Sequence, residues 1–148
     1  MIKAGLALEQ FRSRNLADKK LPGAYQYLNT YAVGEVLEAL KHPETSVWAN
    51  IFAPVELLQC FGLHSLSIEC LSSFLSGFTI EDYFLDYAEN EGLASTLCSY
   101  HKNFIGAIDS CITPPAAFAV TTSTICDGNV NTFRHLSEKH HVPSFLLD

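Results

Sequence analysis

Basic residues are scarce in this 148-residue chain: nine Lys and Arg stand against sixteen Asp and Glu, for a formal net charge of −7. An acidic body repels phosphate backbones, and no basic patch interleaved with aromatics interrupts it, so no nucleic-acid partner is expected. The bases cluster early: Lys3, Arg12, Arg14, Lys19 and Lys20 fall within the first twenty residues, against Glu9 and Asp18. The run Leu16 to Leu21 is too short and too charged for a DNA arm. Long apolar runs are also missing. Lys3, Glu9, Arg12 and Arg14 interrupt Met1 to Arg14 and deny it the core of a secretion signal. The longest uncharged stretch, Ser110 to Cys126, holds Pro114, Pro115 and several Thr, which suits a loop and a buried strand rather than a membrane helix. The expectation is a cytoplasmic protein without a membrane partner. Repeats and low-complexity tracts are absent, and an odd count of five cysteines argues against a disulfide framework.

What is present is enough apolar material, 48% of residues, to bury one core. Tyr25, Leu28, Ala32, Val36 and Leu40 recur at steps of three and four after the Pro22-Gly23 break, which predicts two opening helices within residues 1–42. A strand over Ser46 to Phe52 hands over to a helix near Pro54, lined by Leu57, Leu58 and Phe61 and ended by Gly62. His64 to Glu69 reads as a second strand, completing a β-α-β unit. Five acids and no base between Ile80 and Glu91, with Tyr83, Phe84 and Tyr87 at helical spacing, read as a solvated helix face. Ser95 or Thr96 caps a helix from about Leu97 to Ile108, with Phe104 and Ile108 inward. Ala117 to Thr122 is a third strand, Asp127 and Asn129 open a helix with Val130, Phe133 and Leu136 inward, and Ser144 to Leu147 is a fourth strand. Strands alternating with helices imply an α/β fold: a three-layer parallel sheet of about four strands over residues 43–148, with a helical pair before it. The fourth strand has little sequence left to cover it, so a longer polypeptide is expected.

On this architecture three chemical residues converge. Glu56 lies at the start of the helix after strand one, Cys98 opens a helix, and Cys126 lies between strand three and its helix. Parallel sheets bind ligands at the carboxyl ends of their strands, and helix N-termini there offer N–H donors that favour thiolates. The other readings are plain ones. Glu56 also suits a first-turn acid serving the helix dipole, and either cysteine suits a small buried hydrophobe. His101, one turn after Cys98, invites a Cys/His zinc site with Cys126 and one of His135, His140 or His141, although no C-x-x-C or H-x-x-x-H pair supports it. A Cys98-His101 nucleophile pair has no flanking signature. His140 and His141 suit a helix C-terminus.

Ala53-Pro54-Val55-Glu56-Leu57-Leu58, then Phe61-Gly62-Leu63, Cys98-Ser99-Tyr100 with Gly106, and Thr124-Ile125-Cys126-Asp127 follow one another in an order and spacing that resembles the D-component family of 2-hydroxyacyl-CoA dehydratases, which includes benzoyl-CoA reductase subunits. The resemblance covers roughly residues 45 to 148. It implies a Rossmann-like domain in which Cys98 and Cys126 are two of three cysteine ligands of an oxygen-sensitive 4Fe-4S cluster. The third would come from outside this chain, so the fragment alone would lack the cluster. It implies, as partners, a second homologous subunit, an ATP-hydrolysing activator that delivers one electron, and an acyl-CoA substrate. The implied activity is a lyase reaction of anaerobic metabolism, in which a ketyl radical on a 2-hydroxyacyl-CoA expels hydroxyl to give an enoyl-CoA. Glu56 matches an acidic position beside the cluster, where it would meet a substrate hydroxyl or orient a ligand. Cys60, Cys70 and Cys111 match no ligand position and read as structural. The alternatives are a non-catalytic association or electron-relay module of the same family, or a small zinc-binding domain.

Overall fold

The computed structural model of the protein describes residues 2–15 and 22–148, so the Leu16 to Leu21 run lies outside the described residues. In chain order the elements are α1 (Ile2–Asn15), α2 (Gly23–Lys41), a 3-10 turn (Pro43–Thr45), β1 (Ser46–Ala49), α3 (Val55–Cys60), β2 (His64–Ser67), α4 (Ile68–Gly77), α5 (Glu81–Asn90), α6 (Ser99–Asp109), β3 (Phe118–Thr122), α7 (Asp127–His140) and β4 (Ser144–Leu147). The strands form one sheet of order β2-β1-β3-β4, every pairing parallel, with Trp48 opposite Leu66 and Ala119. The α/β class, the parallel four-stranded sheet and the opening helical pair agree with the sequence expectation.

Strand alternation divides the core in two. Val47, Ala49 and Val120 point to one face, where Ala53 and Leu58 of the α3 region cover them. Trp48, Leu66 and Ala119 point to the other, against Leu71, Leu75, Phe84, Phe104, Ile108, Phe133 and Leu136 from α4 to α7. Right-handed crossovers explain the division: β1 to β2 moves one way along the sheet and β2 to β3 moves the other, so the connecting helices land on opposite faces. Helix α2 packs against β2 and adds Val33, Val36, Leu37, Ala39 and Leu40 to the larger core.

Several local expectations are corrected. The second strand stops at Ser67 rather than Glu69, because the Ser67 hydroxyl accepts the backbone N–H of Cys70 (3.2 Å) and so starts α4, a helix the periodicity missed. The first strand stops at Ala49, and Ile51 and Phe52 form an exposed turn. On α3 only Leu58 is buried; Leu57 and Phe61 are 56% and 76% exposed. Cys60 and Cys111 are exposed too, so the structural reading of these two thiols finds no support in burial. The acidic helix α5 is solvated on one side only, since Phe84 and Ala88 are buried on the other and the Tyr87 hydroxyl donates to the Asp109 carbonyl (3.2 Å). The α6 cap is Cys98, not Ser95 or Thr96.

Two contacts set the position of α6. A Cβ on Gly106 would lie 2.2 Å from the Phe84 carbonyl oxygen, so α5 and α6 approach as closely as they do only because position 106 has no side chain. At its far end, the buried Asp109 carboxylate accepts from His140 Nε2 (2.7 Å), Lys139 Nζ (2.9 Å) and His135 Nε2 (3.5 Å), joining the last turns of α6 and α7. Burial opposes ionisation of Asp109, but the hydrogen bonds from His140 and Lys139 outweigh it and hold the carboxyl below its ordinary range. Gly106→Ala is expected to destabilise the fold by about 1–3 kcal/mol or more in denaturant unfolding, because the obstructing atom is backbone. Asp109→Asn should cost about 2 kcal/mol at neutral pH. A depressed carboxyl contributes its stability above the unfolded pKa of about 3.9, so the gap between the two proteins should close as acid takes the pH below that value.

Candidate functional site

The strand order reverses between β1 and β3, and in a parallel sheet such a reversal opens a crevice at the carboxyl ends of the two strands. Asn50, directly after β1 and wholly buried, donates from Nδ2 to the Thr122 hydroxyl (3.1 Å) and ties those two ends together. Its Oδ1 is buried without a hydrogen-bond partner among the described residues. Glu69, in the first turn of α4, accepts from the backbone N–H of Ile51 (3.0 Å) and from the Ser67 hydroxyl (2.9 Å), which fixes the loop after β1 against the end of β2.

Besides α3 and α4, two further helices begin at this edge. Helix α7 leaves β3 there, and α6 starts there because it runs back along the sheet to deliver the chain to the beginning of β3. Both carry cysteine at the N-cap. Cys98 (φ −50°, ψ 131°) and Cys126 (φ −140°, ψ 108°) occupy positions where Ser, Thr, Asp or Asn ordinarily accept a backbone N–H, and neither makes such a bond. The first N–H groups of both helices therefore lack a side-chain cap, with a thiol beside each. Asp127 is the first helical residue of α7. Ile125, exposed and immediately before Cys126, holds φ at 73°, a conformation a β-branched residue adopts only under strain.

His101 links the two helix starts. It lies one turn along α6 from Cys98 and is 5% exposed, with Nε2 3.6 Å from Cys126 Sγ and Nδ1 2.9 Å from the Thr132 hydroxyl on α7. Burial pushes its pKa below the ordinary imidazole range, and the Glu69 carboxylate only partly offsets this, which favours the neutral ring. Gly128 makes the approach possible: a Cβ there would lie 2.9 Å from His101 Nε2 and 3.2 Å from Cys126 Sγ. The imidazole thus faces Cys126, not Cys98 as a Cys98-His101 pair would require.

Glu56 lies elsewhere on the same edge. It is exposed in the first turn of α3, on the opposite face of the sheet, where its charge and that of Glu35 add to the effect of burial in raising the Tyr31 phenol. The carboxylate near His101 is Glu69. The zinc set is not assembled: His135 and His140 turn to Asp109 at the far end of α7, and His141 is its exposed left-handed C-cap. Among the described residues no three His, Cys, Asp or Glu side chains converge as a metal-binding group. Nor is any helix among them long and apolar enough to cross a membrane. Spacing had set His101 beside Cys98 and, in the zinc reading, with Cys126, and of these the contact with Cys126 is the one formed, whereas nothing in the sequence pointed to Thr132, Gly128, Asn50 or Glu69, which meet only through the fold.

Fold and site together define an α/β protein of the doubly wound kind with a thiol-bearing crevice at its strand-order reversal. Comparison with protein families is more specific. Residues 50–148 match the family described as 2-hydroxyglutaryl-CoA dehydratase, D-component, and the chain belongs to that family. No individual curated protein matches it.

Gly128→Ala tests how tightly the site is built. Alanine is the better helix former by about 1 kcal/mol, so an unobstructed site would gain stability. The expected outcome is a loss in denaturant unfolding, with displaced His101 ring resonances in NMR spectra.

Proposed function

We propose that this chain supplies Cys98 and Cys126 as two thiolate ligands to the iron-sulfur site of a 2-hydroxyacyl-CoA dehydratase-like subunit. The observation that carries the reading is the pair of cysteines at the uncapped starts of α6 and α7, on one edge of the sheet, in a member of this family. The donor chemistry fits a 4Fe-4S cluster in kind: both thiols are free, and each lies beside helix N–H groups that favour anions. It fits only in part by number, since two thiols leave a four-iron core under-coordinated and no third ligand joins them among the described residues. The remaining ligand is assigned to a segment or subunit outside this chain.

When bound, the cluster would supply one-electron chemistry and an open iron position able to polarise a substrate oxygen. The chain's own residues do the rest. Asn50 and Thr122 hold the ends of β1 and β3 in fixed relation, Glu69 anchors the intervening loop, and the uncapped N–H groups of α6 and α7 stabilise negative charge in the crevice. Glu56, at the start of α3, is the acid available to a substrate hydroxyl approaching from the other face. The reaction is loss of water from a 2-hydroxyacyl-CoA to give an enoyl-CoA, with a second homologous subunit and an ATP-hydrolysing electron donor as cytoplasmic partners.

A non-catalytic association role within the family has one observation in its favour. β4 is exposed along its whole length, and Phe145, Leu146 and Leu147 lie open to another chain or domain.

The test is anaerobic production of the full subunit with its partner, followed by iron and sulfide analysis and visible absorption. Cys98→Ala and Cys126→Ala should each lower iron content severalfold and bleach the absorption. Iron content unchanged in both variants would refute the assignment, and the 148-residue chain by itself should hold no stoichiometric cluster.

A further inference from the structure

We infer that His101 is a positioning residue for Cys126: its Nε2–H donates to the Cys126 sulfur, in an orientation set by the Thr132 hydroxyl and permitted by the missing side chain at Gly128. The argument begins with Thr132. A hydroxyl on a helix can donate as well as accept, and the side-chain partner of this one is His101 Nδ1, at 2.9 Å, which we take as the acceptor. A nitrogen that accepts has no proton of its own, so the ring proton of the neutral imidazole lies on Nε2. That atom faces Cys126 Sγ at 3.6 Å, an ordinary N–H to sulfur separation. A charged ring would have the same donor at the same place, so the direction of the bond does not depend on the protonation state of His101.

Three features show that the arrangement is built. The ring is 5% exposed and Thr132 is buried, so water does not compete for either nitrogen. Gly128 lies against both partners, at distances a Cβ could not occupy without moving one of them. Cys126 is an N-cap residue with extended backbone and no side-chain bond to its own helix, so its sulfur retains accepting capacity toward the ring.

The functional consequence rests on Cys126 being a cluster ligand, as proposed above. A hydrogen bond to a ligating thiolate draws electron density from the sulfur and favours the reduced cluster. His101 therefore acts through Cys126, raising the reduction potential of the site while fixing where the ligand sulfur stands.

The tautomer can be read on the chain itself, without iron, from long-range nitrogen-proton correlations of the histidine rings. His101 should show a protonated Nε2 and a bare, accepting Nδ1, and Thr132→Val should shift the population toward the other tautomer. A protonated Nδ1 with a bare Nε2 in the unaltered protein would overturn the inference. In the iron-loaded full subunit, His101→Phe should move the reduction potential to a more negative value, and His101→Gln, whose amide can present an N–H near the Nε2 position, should restore part of the shift. If His101→Phe does not fold, Thr132→Val provides the same measurement with a smaller change. A potential unmoved by either His101→Phe or Thr132→Val would refute the tuning role. A full subunit without iron whose His101 still carries its proton on Nε2 would overturn the cluster reading and the tuning with it, leaving the hydrogen bond in place.

Discussion

Helix α6 is buried along nine consecutive residues, His101 to Asp109, and the rest of the structure is arranged around that constraint. A helix enclosed on all sides is normally apolar all round. This one carries His101, Lys102, Asn103 and Asp109 inside, and a buried polar group without a partner costs several kcal/mol (roughly 2–7). Each therefore recruits one. Lys102 reaches Glu89 (2.5 Å) and the Ser95 carbonyl (2.9 Å), Asn103 reaches the Ser72 carbonyl (3.3 Å), Asp109 gathers the last turn of α7, and His101 meets Thr132 and Cys126. The polar residues of α6 act as pins that fix α4, α5 and α7 in rotation as well as position. The site inherits its geometry from that pinning, because Cys98 and Cys126 are the N-caps of two helices whose far ends are joined at Asp109.

The sheet supplies the other coordinate. All four strands are parallel, so every strand-to-helix turn lies on one edge, and the reversal between β1 and β3 leaves a gap there that no crossover covers. The edge is held polar from within: Asn50 bonds Thr122, and Glu69 bonds Ser67 and the Ile51 N–H. The opposite edge carries the Asp109 cluster and takes part in stability. The Asp109 ion pairs and the candidate site thus lie at opposite ends of α6 and α7.

Most of the fold could be read from residues. β4 and the body of α7 follow from turn residues and the spacing of Phe133 and Leu136, and the parallel sheet follows from alternation of strands and helices. Helix α4 was hidden because Ser67 and Glu69 suit a strand end as well as a helix cap, and only the reach of Ser67 to the Cys70 N–H decides between them. The exposed face of α3 was misread for a related reason. Leu57 and Phe61 are core-type residues by identity, and whether they are covered depends on what lies across from them.

At the site, local sequence determined the parts that depend on chain direction alone: cysteines at helix starts, on one edge, within motifs whose spacing specifies the family. Tertiary structure decided the contacts. That His101 faces Cys126 rather than the nearer Cys98, that Thr132 sets its tautomer, and that glycine is required at 106 and 128 are matters of how two helices approach across a shared core. Hydrogen-bond capacity and backbone propensity are carried by each residue wherever it stands. Distance between helices is set by every side chain packed between them, and no single segment contains that information.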